Sequence, residues 1–231
     1  MPPDRYLAEL ATSLDRLSLL ARLPGDILIR PVATCTDWTL EDLFGHLGSI
    51  ERWAADVVLA GTFVEQPAPP ATGAADWFLE GTGTFLEAMT ALDPESPCWN
   101  FGPPPRTAGF WLRRQAHEHA IHLIDACLAS GQEPPALAED FMLDGIDEIL
   151  TMLAPRQLRV ERMPDPHGTV SFHVPGADSW TLGQGAAAAT ITSPLREMYL
   201  GLWGRTDLAA TAAIEGDAAL ARRVLQGPLT P

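Results

Sequence analysis

Two residues of the run from Phe110 to Ala129, FWLRRQAHEHAIHLIDACLA, are placed to do chemistry. Glu118 and His122 stand four apart, so on a helix they share one face about a turn from each other. A carboxylate and an imidazole at that spacing suit a divalent metal ion. The HExxH zinc-protease pattern is excluded: His117-Glu118 begins it, but Ile121 stands where the second histidine is needed. A third donor comes from another segment, where His46 lies three residues after Leu43 and four before Ile50 on an apolar face. Taken alone, His46 also fits a core histidine bonded to a carbonyl or carboxylate. Taken together, His46, Glu118 and His122 are the three His/carboxylate ligands of a catalytic zinc site with one position open. An inward carboxylate without a partner costs on the order of several kcal/mol, so Glu118 needs a cation, donors or a proton. Arg113 and Arg114 supply the competing reading, a plain Glu–Arg ion pair. His119 and His122 are three apart and could clamp a metal themselves, but that leaves Glu118 unexplained; His117 and His119 are read as flanking residues. His167 and His173 fall in a strand-rich part, away from the metal set.

Helices must hold these donors. Tyr6, Leu7, Leu10, Leu14, Leu17 and Leu20 predict a first amphipathic helix over residues 4 to 22, stopped by Pro24-Gly25. After an extended piece, Thr39-Leu40-Glu41-Asp42 has the form of a capping box and opens a second helix to about Ala60. Leu43, Leu47, Ile50, Ala54 and Val57 mark its buried face, and Gly61 closes it before the Pro-rich loop EQPAPPATGA. A third helix is expected from Asp76 to Leu92. The loop before the fourth carries Trp99, Phe101 and Arg106, which suit either a pocket wall or, for the aromatics, a cap over the core. In the fourth helix, the stripe Trp111, Gln115, Glu118, His122, Asp125 and Ala129 runs beside an apolar one, and a fifth helix follows over 136 to 153. Beyond Pro155 the period changes: LRVER, GTVSFHV, SWTLG and AAATIT read as strands of a small antiparallel sheet, followed by a helix, the strand TAAIEG and a last helix. The expected organisation is a helical domain over 1–154 and a small α+β domain over 155–231.

Composition bounds the partners. Thirty acidic residues against fifteen basic ones give a formal charge of −15, which disfavours nucleic acid and anionic membranes while leaving room for an anionic small molecule held by local arginines. Three widely spaced cysteines, Cys35, Cys98 and Cys127, indicate neither a disulfide framework nor a Cys-rich zinc site. With no signal peptide and no long apolar run, the expected location is the cytoplasm.

The runs CTDWTLEDLFGHLGSIERWAADVV, FGPPPRTAGFWLRRQAHEHAIHLIDA and DGIDEIL resemble those of the mycothiol-dependent maleylpyruvate isomerase family, and YLGLWGR and EGDAAL resemble that family's small C-terminal domain. The most specific parts are W-x-x-x-D-L-x-x-H-L, ending in His46-Leu47, and R-R-x-x-H-E-x-x-x-H, from Arg113 to His122. The resemblance implies a DinB-like up-down four-helix bundle followed by the small domain, a divalent metal, normally zinc, on His46, Glu118 and His122, and mycothiol, the low-molecular-weight thiol of actinobacteria, as cosubstrate. It also implies that Arg205 reaches an anionic substrate or adduct, although an arginine near a helix C-terminus is ordinary. Arg106 is a second, weaker candidate for that role.

A thiol in the open zinc position loses its proton near neutral pH and becomes a nucleophile. It would add to a small electrophile and then leave, as in an isomerase, or stay on the product, as in an S-transferase. The expected partners are therefore that thiol and that electrophile, with the chain a monomer or homodimer. Two other functions fit the same ligands: a metal-binding regulatory protein without turnover, and a hydrolase using zinc-bound water.

Overall fold

The computed structural model describes residues 1–231. The chain forms two compact units, Met1–Ala136 and Leu137–Pro231. No helix is long and apolar enough to cross a membrane.

In the first unit, α1 (Pro3–Leu20), α3 (Leu40–Ala60), α4 (Ala74–Ala91) and α5 (Gly109–Ser130) make a four-helix bundle, with the single turn α2 (Gly25–Leu28) in the piece expected to be extended. Around the bundle, α3 touches α4 and α5, and α1 touches α5 and α4. Leu10, Leu17, Leu43, Phe44, Leu47, Phe78, Trp111 and Ile121 are sealed from solvent in its core.

The helix directions are up-down-down-up. On the α3–α5 seam, Glu51 meets His119 and Trp53 meets Trp111, so these two helices are antiparallel. Along α4, by contrast, Gly45 faces Ala74, Gly48 faces Phe78 and Glu51 bonds Thr82, so α3 and α4 run parallel. Parallel neighbours need a connection as long as a helix, and the Pro-rich segment 61–73 provides it by running back along α3. Val64 O accepts from Trp53 Nε1 at 2.8 Å, Pro67 O accepts from Ser49 Oγ at 2.5 Å, and Pro69 packs on Gly45. A Cβ at Gly48 would sit 2.9 Å from the Trp77 ring, so only glycine admits α4 at this separation.

The helix that carries His46 is fixed at both ends. At its start Thr39 Oγ1 accepts from Asp42 N at 3.2 Å while Asp42 Oδ2 accepts from Thr39 N at 2.8 Å, closing the capping box; at its end Gly61 takes φ 67°. Within its first turn, Glu41 Oε1 accepts from Ala74 N at 2.6 Å and Ala75 N at 3.2 Å, so one helix caps the next.

In the second unit, α6 (Glu139–Glu148) passes through a π-helical turn (Ile149–Leu153) into α7 (Ala154–Arg159), and the LRVER stretch expected as a strand is therefore helical at its start. Because α6 packs on α8 (Leu195–Leu202), the compact units divide ahead of it, whereas the change of hydrophobic period in the sequence falls near 154. Strands β1 (Val170–His173), β2 (Ser179–Leu182), β3 (Ala189–Thr192) and β4 (Ala213–Gly216) lie in the order β2-β1-β3-β4. The sheet is mixed: β1 and β3 are parallel, whereas the sequence suggested antiparallel strands throughout. The reason is topological. β2 occupies one edge of β1, and after β2 the chain reverses and crosses to the other edge, where β3 runs with β1; Gly183 and Gly185, at φ 114° and 91°, lie in that crossing. Short α9 (Leu208–Thr211) precedes β4, and α10 (Ala218–Leu225) packs on β1, β3 and β4.

A fully buried histidine–carboxyl contact crosses the bundle core. His119 Nε2 and Glu51 Oε1 are 3.0 Å apart with both side chains fully buried; Thr82 Oγ1 donates to Glu51 Oε2 at 3.2 Å, and Phe85 stacks on the imidazole. Burial pushes the Glu51 carboxyl above its ordinary value, against the opposing His119 bond. His119→Ala leaves this carboxyl buried with the hydroxyl alone, and is expected to cost about 3–5 kcal/mol in urea unfolding. A loss under about 1 kcal/mol would show that the pair does not hold α3 to α5.

Candidate metal centre

Three donor atoms converge where α3 crosses α5. His46 Nε2 lies 3.0 Å from Glu118 Oε1, and His122 Nε2 lies 3.4 Å from the same oxygen. A tetrahedral ion with bonds of about 2.0–2.2 Å holds its ligand atoms roughly 3.3–3.6 Å apart, so the two contacts to Glu118 Oε1 lie within a few tenths of an ångström of what one ion needs. All three lie within 4.8 Å of one another. Their side chains are 26, 16 and 8 % exposed for His46, Glu118 and His122, an enclosed site with access from one side.

The surroundings orient each donor. His122 Nδ1 is 2.9 Å from Asp125 Oδ2, a turn further along α5. With the proton on Nδ1 donated to that carboxylate, Nε2 presents its lone pair to the cluster, the arrangement metal-binding imidazoles commonly adopt. Thr34 Oγ1 donates to Asp125 Oδ1 at 2.6 Å and fixes the carboxylate in turn. Arg114 Nη2 donates to Glu118 Oε2 at 3.1 Å, so the competing ion pair is present too: it takes one carboxylate oxygen while Oε1 faces both imidazoles. Trp38 packs against both imidazoles, 4.8 Å from the His46 ring centre and 6.2 Å from that of His122.

Electrostatics follows this geometry. Burial pushes the Glu118 carboxyl up, but bonds from His122 and His46 and the Arg114 charge outweigh it and hold it well below the usual range. Burial likewise lowers His122, yet Asp125, Cys35 and Glu118 together hold it well above the ordinary imidazole value. These partners favour the protonated ring of His122.

The other expected residues lie elsewhere. Trp99 and Phe101 pack with Trp53 and Trp111, two helical turns along the α3–α5 seam from the donors, and Phe63 and Phe110 extend the cluster. Within the first unit both rings belong to this aromatic cluster and stay half-buried. Arg106 is exposed, with Nε donating to Gly102 O at 3.3 Å. Arg205 belongs to the second unit, beyond α8, where its guanidinium donates to Trp203 O. His117 and His119 are outside the donor group, yet both are wholly buried, His117 edge-on to Tyr6. The sequence reading gave no role to Asp125, Thr34 or Trp38. Asp125 had a signal, its place three residues after His122, and Trp38 opens the W-x-x-x-D-L-x-x-H-L run that ends in His46-Leu47; Thr34 joins the site only through the fold of the loop before α3.

Residues 7–127 match the family model described as mycothiol maleylpyruvate isomerase N-terminal domain, and residues 140–223 match the model of the C-terminal domain of the same family. Among solved structures, the chain is similar to the mycothiol-dependent maleylpyruvate isomerase, at 12 % identity and a TM-score of 0.63 over 93 % of both chains. A histidine-to-alanine mutant of that enzyme gives 11 %, 0.62 and the same coverage. At such identity the likeness speaks for the fold. No protein among those of curated function matches.

Linkage gives a signed pH prediction. In the metal-free protein the raised His122 value contributes stability that is fully present below about pH 6.5 and is lost as pH rises through the higher, folded value. The lowered Glu118 value contributes stability present above about pH 4.5 and lost as pH falls through the folded value. Zinc must displace the His122 proton, so its affinity is expected to rise about tenfold per pH unit below the His122 value, with about one proton released per ion at pH 7. Calorimetry in buffers of different ionisation enthalpy checks this; binding without proton release would exclude His122 as a ligand.

Proposed function

Because the chain belongs to the mycothiol maleylpyruvate isomerase family, we propose that it is a metal-dependent enzyme that uses mycothiol on a small electrophilic substrate, as an isomerase or an S-transferase. The observation that carries this reading is the convergence of His46, Glu118 and His122, two imidazole nitrogens and one carboxylate oxygen, on one enclosed point. That donor set suits zinc and leaves a position for a fourth ligand. Bound there, a zinc ion supplies Lewis acidity that makes a neighbouring thiol an anion near neutral pH.

The side chains around the ion have separable tasks. Asp125 keeps the proton of His122 on Nδ1, so that Nε2 remains a ligand. Arg114 neutralises the Glu118 oxygen that faces away from the imidazoles, which favours one-oxygen binding by that carboxylate. Trp38 covers the two rings and limits water at the donors. We assign Arg205 the pairing with a negatively charged group of the substrate or its adduct, as the catalytic cation. Arg106, Trp99 and Phe101 are assigned to substrate binding, where flat aromatic surface and a guanidinium suit an unsaturated acid.

Zinc-loaded protein supplied with mycothiol and a panel of activated alkenes, epoxides and aromatic electrophiles is expected to give turnover that requires both metal and thiol. His122→Ala should lower the rate at least a hundredfold together with zinc stoichiometry. Turnover undiminished without the thiol would instead indicate hydrolysis, and turnover that survives complete removal of metal would overturn the reading.

A further inference from the structure

Behind His122, on the Nδ1 side, a second group of donors meets the same ring. Asp125 Oδ2 lies 2.9 Å from His122 Nδ1, and Cys35 Sγ lies 3.8 Å from Asp125 Oδ2. Sulfur, oxygen and nitrogen all fall within 4.8 Å of one another. An ion with a metal–sulfur bond of about 2.3 Å and metal–nitrogen or metal–oxygen bonds of about 2.0–2.2 Å keeps its donors roughly 3.3–3.7 Å apart, close to what is found. His122 and Asp125 are 6 and 1 % exposed, so these are built positions and not mobile surface groups, while Cys35 is half-buried and within reach of solvent. Thr34 holds the other Asp125 oxygen at 2.6 Å. A cavity of about 270 Å³, lined among others by Arg30, Pro31, Thr34 and Leu128, borders Asp125.

We propose that Cys35, Asp125 and His122 form a second cation site, selective for thiophilic divalent ions such as cadmium. Thiolate and carboxylate together balance the charge of the ion, and the thiolate sets the preference for soft metals that the oxygen- and nitrogen-only front set lacks. Loading releases two protons, from the Cys35 thiol and from His122 Nδ1, and converts the hydrogen bond between His122 and Asp125 into two metal bonds. The ring that gives Nε2 to the front set would then give Nδ1 to the rear one. At ordinary pH a neutral imidazole has one free lone pair, so the two sites oppose each other. The consequence for turnover rests on the function proposed above; the rear site itself does not.

His46→Ala removes a front ligand and isolates the rear set. Cadmium titrated into this variant is expected to produce a thiolate-to-cadmium charge-transfer band in the ultraviolet that saturates at one equivalent. The band should disappear in His46→Ala/Cys35→Ser and persist when Cys98 or Cys127 is changed to Ser instead. The His46→Ala protein gives a second, independent reading: cadmium should slow alkylation of Cys35 by iodoacetamide at least tenfold, as mapped by mass spectrometry. Absence of the band, its survival without Cys35, or undiminished alkylation of Cys35 under saturating cadmium would each overturn the proposal.

Discussion

A carboxylate largely enclosed where two helices cross is the constraint on which the bundle turns. Glu118 is out of reach of bulk water over most of its side chain, and it is ionised only because His46, His122 and Arg114 surround it. In the metal-free cluster Arg114 and the proton on His122 offset the carboxylates of Glu118 and Asp125. A divalent ion would take the place of the His122 proton while keeping the Glu118 carboxylate paired. The same geometry therefore serves two states, a protonated one held by ion pairs and a metallated one held by coordination.

Holding such a cluster requires that α3 and α5 keep one register, and most polar groups buried between them serve that end. The Glu51–His119 pair, one turn from the donors, ties the two helices at a point where nothing can be exchanged with solvent. Beyond it, Trp53 and Trp111 pack edge to face at 5.1 Å, with Trp99 O accepting from Trp111 Nε1 at 3.0 Å. Donor cluster, buried Glu51–His119 contact and aromatic cluster thus follow one another along a single seam. The capping box at Thr39 and the left-handed Gly61 set where α3 begins and ends, and so where His46 falls along it.

Much of this was legible before any coordinates. Helical periodicity located α1, α3, α4 and α5 to within a few residues, and the spacing of Glu118 and His122 with the inward position of His46 picked out three side chains that do meet. Direction was not legible: the parallel course of α3 and α4 depends on a thirteen-residue connection, 61–73, whose Pro-rich composition reads only as loop. Burial of His117 and His119 escaped as well. A helix with an apolar stripe and a polar one suggests one wet face, whereas α5 touches α1 on one side and α3 on the other, so its polar residues are buried in pairs. Partners such as Glu51 for His119 or Thr34 for Asp125 are far apart in sequence, and no local pattern joins them. The mixed order of the sheet escaped for a like reason, since alternation reveals strands but not which edge the next one takes.

X-ray absorption of the zinc-loaded protein tests the central claim most directly, because it reads the ligand atoms themselves. The expected first shell is imidazole nitrogen and carboxylate oxygen at about 2.0–2.2 Å without sulfur, gaining one sulfur at about 2.3 Å when mycothiol is added. A shell that already contains sulfur before the thiol arrives, or one that the thiol leaves unchanged, would contradict a catalytic centre built on His46, Glu118 and His122.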